Sequence, residues 1–234
     1  VVAPAVYYRV NVIGTQNLLE AMRRHDLTDI VFSSSCAFYG IPSILPIVET
    51  TPAAPVNPYG FTKLAAERML RDYERAYGFR AIALRYFNAA GADPDGELGE
   101  RHDPETHAIP LAIKAALRLG PAFSVFGTDY PTRDGTAERD YVHVSDLAAA
   151  HVLATERLRS RGAGGAFNLA TGSGTTVNEI VAAVERATAR PVPVVRAPRR
   201  EGDPPALYAS AARAAYELGW LPKFTDIVGT VETA

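Results

Sequence analysis

Pro58-Tyr59-Gly60-Phe61-Thr62-Lys63 opens a helix that the pattern carries from about 59 to 77 and closes at Gly78. It stands between two short apolar runs, Ile30-Val31-Phe32 and Ala81-Ile82-Ala83-Leu84-Arg85-Tyr86-Phe87, which read as buried strands. Before them, residues 5–25 place Tyr8, Val12, Leu18, Leu19 and Met22 at roughly helical spacing and end on Arg23-Arg24-His25, which suits a helix C-terminus. Helix, strand, helix, strand implies a parallel sheet with helices packed over it. In such sheets ligands sit beyond the carboxyl ends of the strands. Ser33-Ser34-Ser35 and Asn88-Ala89-Ala90-Gly91 both fall at such ends.

Tyr59 and Lys63 lie one turn apart on one helix face. A tyrosine ordinarily titrates near 10, and a cation at ~4–6 Å favours the phenolate by roughly one to three pH units. The expectation is that Lys63 tunes Tyr59 into a base or acid usable near neutrality. The chain has 24 basic residues, yet its only lysines are Lys63, Lys114 and Lys223. A compact point charge is therefore written where arginine is the habit. A bare tyrosine–lysine pair at this spacing is more often a helix-start aromatic and a solvated side chain; the serine cluster and asparagine turn beside it favour the chemical reading.

The 234 residues are 47% hydrophobic and 21% charged, with a net charge of -2, which is ordinary globular composition. Nothing resembles a nucleic-acid tail, a polybasic membrane patch or a membrane-spanning run. The single cysteine, Cys36, excludes an internal disulfide and fits a reducing cytoplasm. It reads as a small packed hydrophobe, since no histidine lies in its local sequence. The five histidines show no helical ligand spacing, so no metal site is expected.

Further on, the pattern gives a helix near 108–119, strands at Phe123–Phe126 and Arg139–Val144, and a helix from about 147 to 158. A short strand at Phe167–Leu169 leads to the glycine turn Thr171–Gly174 and a helix near 177–188. A last helix leads to Leu218-Gly219-Trp220. The polar stretches within 91–137 have the character of binding loops. No strand–GxxGxxG–helix unit occurs, so the chain is expected to begin part-way into a nucleotide-binding domain, with an upstream βαβ segment absent.

Taken in order, Ser33–Ser35 with Tyr39-Gly40, Tyr59 with Lys63, Arg85-Tyr86-Phe87-Asn88 with Gly91-Ala92, and Asp103 to His107 resemble the extended short-chain dehydrogenase/reductases. The runs Phe126–Thr136, continuing to Asp146, and Arg199-Arg200-Glu201-Gly202-Asp203 are similar to the UDP-glucose (UDP-galactose) 4-epimerase branch of that family. The likeness covers nearly the whole chain. It implies an α/β fold: a partial Rossmann-type parallel sheet with helices on both faces, plus a smaller α+β substrate-binding domain. Residues 1–92, with a returning segment about 138–172, would be the C-terminal part of an NAD-binding domain. Residues 93–137 and 173–234 would bind the nucleotide sugar.

The resemblance further implies tightly held NAD and reversible inversion at C4 of a UDP-hexose through a 4-keto sugar. Tyr59 would be the base, Lys63 its tuner and a ligand of the nicotinamide ribose, and Ser35 the hydroxyl on the sugar's 4-oxygen. Asn11, Ser33 and Tyr86 would lie on the NAD side. Arg139 and Arg200 would bind the diphosphate, with Asn88 and His107 near it or the uridine, Phe126 by the uracil and Asp203 on a ribose hydroxyl. Leu207 stands where the family often has tyrosine in enzymes restricted to glucose and galactose, which implies room for N-acetylated sugars. A homodimer through helices 5–25 and 59–77 is also implied. Two alternatives remain at this point. One is another NAD-dependent nucleotide-sugar enzyme, a dehydratase or decarboxylase, which is disfavoured because Cys36-Ala37 replaces the acidic pair expected of a dehydratase. The other is a non-catalytic nucleotide-sugar-binding remnant.

Overall fold

The computed structural model describes residues 3–234. They form two compact units. The first comprises the chain up to Tyr86 together with Ala149–Leu169 and Ser210–Leu221; the second holds Phe87–Ala148, Ala170–Ala209 and Pro222–Ala234.

At the centre of the first unit is a parallel sheet of Asp29–Ser35, Arg80–Tyr86 and Gly165–Leu169, with Arg80–Tyr86 in the middle. Ala81, Ile82, Ala83, Leu84 and Arg85 are all buried. A continuous buried run of this kind is what a central parallel strand needs. The first strand extends further than its apolar core suggests, because the three serines continue in register to Ser35 opposite Tyr86.

The first helix runs as Pro4–Tyr7, a π-helical stretch Tyr8–Ile13, and Gly14–Arg24. Its Leu19 packs with Leu70, Phe79 and Ala81, and Met22, Ile30, Phe32, Met69 and Tyr73 close around them. The helix Pro58–Tyr77 starts with proline at its first position and with the Asn57 side chain accepting from the Gly60 N–H at 2.8 Å. That cap satisfies a donor the helix cannot. Gly78 ends it at φ 71°, the left-handed conformation glycine adopts without penalty.

A buried polar network ties these elements together. Arg85 donates to Glu67 with both arms of its fork, at 2.9 and 2.6 Å, and the side chains are 5% and 4% exposed. Ser34 Oγ donates to the same carboxylate at 2.6 Å. Arg85 also donates to the Tyr39 hydroxyl at 2.8 Å, and that hydroxyl donates to Asn168 at 2.7 Å. All three strands and the helix Pro58–Tyr77 are therefore held by one set of hydrogen bonds. Burial by itself would lower the Arg85 pKa; the hydrogen bonds and charge of Glu67 reverse this and raise it.

The second unit is built around Ile109, Ala112, Phe123, Val125, Ile180, Val184 and Val231. These come from the helices Ala108–Ala116, Val177–Thr188 and Ile227–Glu232 and from the strand Phe123–Phe126, which pairs in parallel with Val194–Ala197. A capping box, Thr176 with Glu179, fixes the start of the Val177 helix. Asp226 caps the six-residue helix Ile227–Glu232, which is too short to show as a period in the sequence.

Two sequence expectations change. The strand expected over 139–144 divides at Asp140: Glu138–Arg139 pairs with Ala206–Leu207 and Thr175–Thr176, while Tyr141–His143 pairs with Asn88–Ala90. The fully buried Asp140 carboxylate accepts from Thr171 N–H and Oγ1, both at 2.8 Å, and from Gly172 N–H at 3.3 Å. This accounts for the glycine turn at 171–174. Residues 210–221, which the sequence groups with the sugar-binding part, join the first unit, while residues 87–92 and 138–148, grouped with the NAD-binding part, join the second. Arg213 reaches the Ala166 carbonyl, and Glu217 accepts from Arg157.

Removing one partner of a buried ion pair leaves the other charge uncompensated. Glu67→Ala is therefore expected to cost about 3–5 kcal/mol, read as a fall in the urea midpoint. The double change Glu67→Met with Arg85→Leu should recover most of it. A loss of only about 0.5 kcal/mol, typical of a surface substitution, would show that the pair does not hold this unit.

Candidate active site

Strand alternation divides the serine cluster. Ser34 faces Glu67, while Ser33 and Ser35 take the other side. Ser33 Oγ lies 3.2 Å from His151 Nε2. Ser35 Oγ accepts from the Ala37 N–H at 3.2 Å and caps the single 3₁₀ turn Cys36–Phe38. The Ser35 side chain lies near enough to the Tyr59 phenol to oppose the rise in its pKa that burial causes, so two of the three residues expected to be catalytic come together.

The approach of the Tyr59 helix to this turn is a backbone contact. A Cβ built on Gly60 would lie 2.3 Å from the Ala37 carbonyl oxygen. Glycine is therefore required one residue after the phenol. Asn11, in the π-helical stretch, donates to Thr62 Oγ1 at 3.0 Å, and Thr62 Oγ1 donates to the Tyr59 carbonyl at 2.7 Å. Asn11 thus steadies the turn that carries Tyr59. Tyr7 meets the Tyr59 ring edge-on at 5.9 Å. Tyr86 ends the central strand, with its ring 6.2 Å from that of His151. His151, missed in the sequence, comes from the helix Val144–Arg159, where no motif marks it.

Lys63 corrects the simplest electrostatic expectation. Its Nζ donates to the Ser33 carbonyl at 2.9 Å and lies 5.5 Å from the centre of the Tyr59 ring. Burial pushes the Tyr59 phenol above its ordinary value, and the Ser35 side chain pulls against that rise. Burial also lowers the Lys63 pKa. The lysine is held by the strand and does not pull the phenol towards neutrality; Ser35 is the group that favours ionisation.

In the second unit a cavity of about 340 Å³ is lined by Phe126, Arg139, Tyr141, Arg200 and Asp203, with Thr106 and Ala108 among the other residues of its wall. The Arg200 guanidinium lies flat over Phe126 at 3.8 Å. Arg139 is paired with Asp203. Burial pushes the Tyr141 phenol up to about 12, and the neighbouring Asn88 side chain opposes that rise. Tyr141 was not found in the sequence reading, although it lies two residues from Arg139. Of the expected nucleotide-sugar residues, Phe126, Arg139, Arg200 and Asp203 meet at this cavity, and Asn88 is the strand neighbour of its wall residue Tyr141. His107 is exposed and hydrogen-bonded to Glu105, between the cavity residues Thr106 and Ala108. Leu207 is buried opposite Arg139 in the sheet and is not part of the cavity wall. Fork-shaped cations beside an aromatic face and a carboxylate suit a nucleoside diphosphate.

Residues 1–170 match the model of the NAD dependent epimerase/dehydratase family. The chain belongs to this family. It is 50% identical over 231 residues to the UDP-glucose 4-epimerase of Halalkalibacterium halodurans, a match covering 99% of this chain and 69% of that protein. The crystal structure of UDP-glucose 4-epimerase from Brucella ovis in complex with NAD superposes with a TM-score of 0.97 at 56% identity, over 100% of this chain and 72% of that one. The UDP-glucose 4-epimerase from Bifidobacterium longum in complex with NAD+ and UDP gives 0.94 at 40% identity, over 100% and 70%.

This member of the family carries groups that fit the nicotinamide end of NAD. Tyr59, Lys63 and Ser35 stand at the carboxyl ends of parallel strands. Lys63 spends one of its three donors on Ser33, and the others suit ribose hydroxyls. The glycine loop that cradles a dinucleotide pyrophosphate is not among the 234 residues.

Gly60→Ala is expected to push the helix start away from the Ser35 turn. Overpacking of this kind costs about 1–3 kcal/mol, measurable as a lower urea midpoint. An unchanged midpoint would mean that the contact with Ala37 is not tight.

Proposed function

We propose that this chain catalyses the reversible inversion of C4 in a UDP-hexose, interconverting UDP-galactose and UDP-glucose with NAD as its tightly held cofactor. The observation that carries the reading is the approach of Ser35 to the Tyr59 phenol beside a lysine whose ammonium is fixed on the Ser33 carbonyl at a strand end. Bound NAD supplies the two-electron oxidation of the C4 alcohol and its reversal. Tyr59 takes the proton from the 4-hydroxyl and returns it. Ser35 donates to the 4-oxygen and steadies the charge that develops there. Lys63 holds ribose hydroxyls and contributes a fixed positive charge.

Arg139 and Arg200 bind the diphosphate, with Asn88 and His107 near it or the uridine. Phe126 lies by the uracil, and Asp203 binds a ribose hydroxyl, exchanging part of its pairing with Arg139. Asn11, Ser33 and Tyr86 belong to the NAD side; the contact of Asn11 with Thr62 supports an indirect role through the Tyr59 turn. Leucine in place of a tyrosine at position 207, buried opposite Arg139 and outside the cavity wall, acts on the tolerance of an N-acetylated sugar indirectly, through the strand that carries it. The reading includes a cytoplasmic homodimer through the first helix and the Tyr59 helix, supported by the exposed Val6, Val10, Ile13, Leu18 and Phe61. Among the described residues no helix is long and apolar enough to cross a membrane.

The test is to incubate the protein with UDP-galactose, with and without added NAD, and assay UDP-glucose. Conversion is expected, and Tyr59→Phe should lower it about 10²–10⁴-fold, the span of general acid–base catalysis. Conversion undiminished in Tyr59→Phe would sink the assignment of the base. No conversion, with UDP still bound, would leave a nucleotide-sugar-binding protein. For substrate range, Leu207→Tyr is expected to lower turnover of UDP-N-acetylglucosamine about 10-fold, corresponding to ~1.4 kcal/mol. Equal turnover by both proteins would remove Leu207 as the determinant.

A further inference from the structure

The loop that precedes the cavity helix gathers groups that the proposed reaction does not use together. The ligand atoms of Glu100, His102 and His107 all lie within 4.8 Å of one another. The imidazole rings of His102 and His107 are 5.0 Å apart and inclined by 35°. The spacing in sequence carries no helical ligand motif, and it is the fold of the loop that brings the rings together.

A fourth residue organises the set. Glu105 is almost fully buried, with 8% of its side chain exposed. Its Oε1 accepts from the backbone N–H groups of Thr106 and His107, both at 2.7 Å, and stands 2.9 Å from His107 Nδ1. With Nδ1–H donating to that carboxylate, His107 Nε2 is left as the lone-pair nitrogen. A carboxylate behind a ligating histidine is the usual outer partner of a metal site, fixing the ring and its tautomer.

We propose that Glu100, His102 and His107 form a binding site for a zinc-class divalent cation, with Glu105 as the outer partner of His107. Two imidazoles and one carboxylate are a ligand set that zinc accepts, with one position left for water. Tetrahedral ligands at about 2.0–2.1 Å from zinc stand about 3.4 Å apart. The set must therefore draw in by up to about 1.4 Å to reach that spacing, which exposed side chains such as His102 and His107 can do. Thr106 and Ala108 flank His107 and line the nucleotide-sized cavity, so an occupied site fixes one stretch of that wall.

The experiment needs neither sugar nor NAD, so its failure is separate from failure of the epimerase reading. Protein stripped with EDTA is titrated with zinc chloride by calorimetry. One equivalent is expected to bind, with affinity at least about 10-fold weaker in His102→Ala and in Glu100→Gln. A second readout is trypsin cleavage after Arg101, which sits between two ligands: zinc should slow it in the parent protein and not in His102→Ala. Absence of zinc binding by the parent protein would overturn the proposal. So would equal binding and equal protection in the parent and His102→Ala.

Discussion

The buried pairing of Arg85 with Glu67 is the constraint on which the first unit depends. A buried guanidinium near the carboxyl end of a central strand would be prohibitively costly without a carboxylate and further acceptors around it. The fold supplies them from the Tyr59 helix, from the Tyr39 hydroxyl and from the Glu49 carbonyl. Phe38 completes the enclosure, stacked 3.9 Å from the guanidinium carbon. Several of these partners lie close in sequence to a functional group: Ser34 sits between Ser33 and Ser35, Phe38 ends the turn that Ser35 caps, and Tyr39 follows it. Packing and chemistry are therefore coupled through the same residues, and positional freedom at the serine cluster is small.

That coupling explains the electrostatics of the site. A phenol and an ammonium are both half-buried beside the strand ends, and that burial disfavours the charged form of each. The protein does not relieve this by pairing them. It gives the phenol a hydroxyl partner and the ammonium a carbonyl partner. Both groups are thereby oriented.

Much of this was legible in the sequence. The alternation of Ile30–Phe32, the Tyr59 helix and Ala81–Phe87 marked the parallel sheet, because a central strand must be apolar without interruption. Phe126, Arg139, Arg200 and Asp203 were also legible and meet at one cavity. The orientation of Lys63 was not, since helical spacing says which face a side chain takes but not which acceptor it finds. Nor was the break at Asp140, whose reason lies in a turn thirty residues later. Tyr141 and His151 carry no local signal either: one is a tyrosine in a strand and the other a histidine on an ordinary helix. The grouping of His102 with His107 depends on a loop path that periodicity does not encode.

The anchoring of Lys63 to the carbonyl of Ser33 has an evolutionary consequence. A carbonyl belongs to every residue type, so no substitution at position 33 can delete the acceptor. The same is true of the Ala37 carbonyl against which Gly60 rests. The placement of the lysine and of the phenol's helix is thus insulated from side-chain drift at these two strand and turn positions. Selection on geometry falls instead on the register of the strand and on the residues that must stay small or cationic, Gly60 and Lys63 themselves.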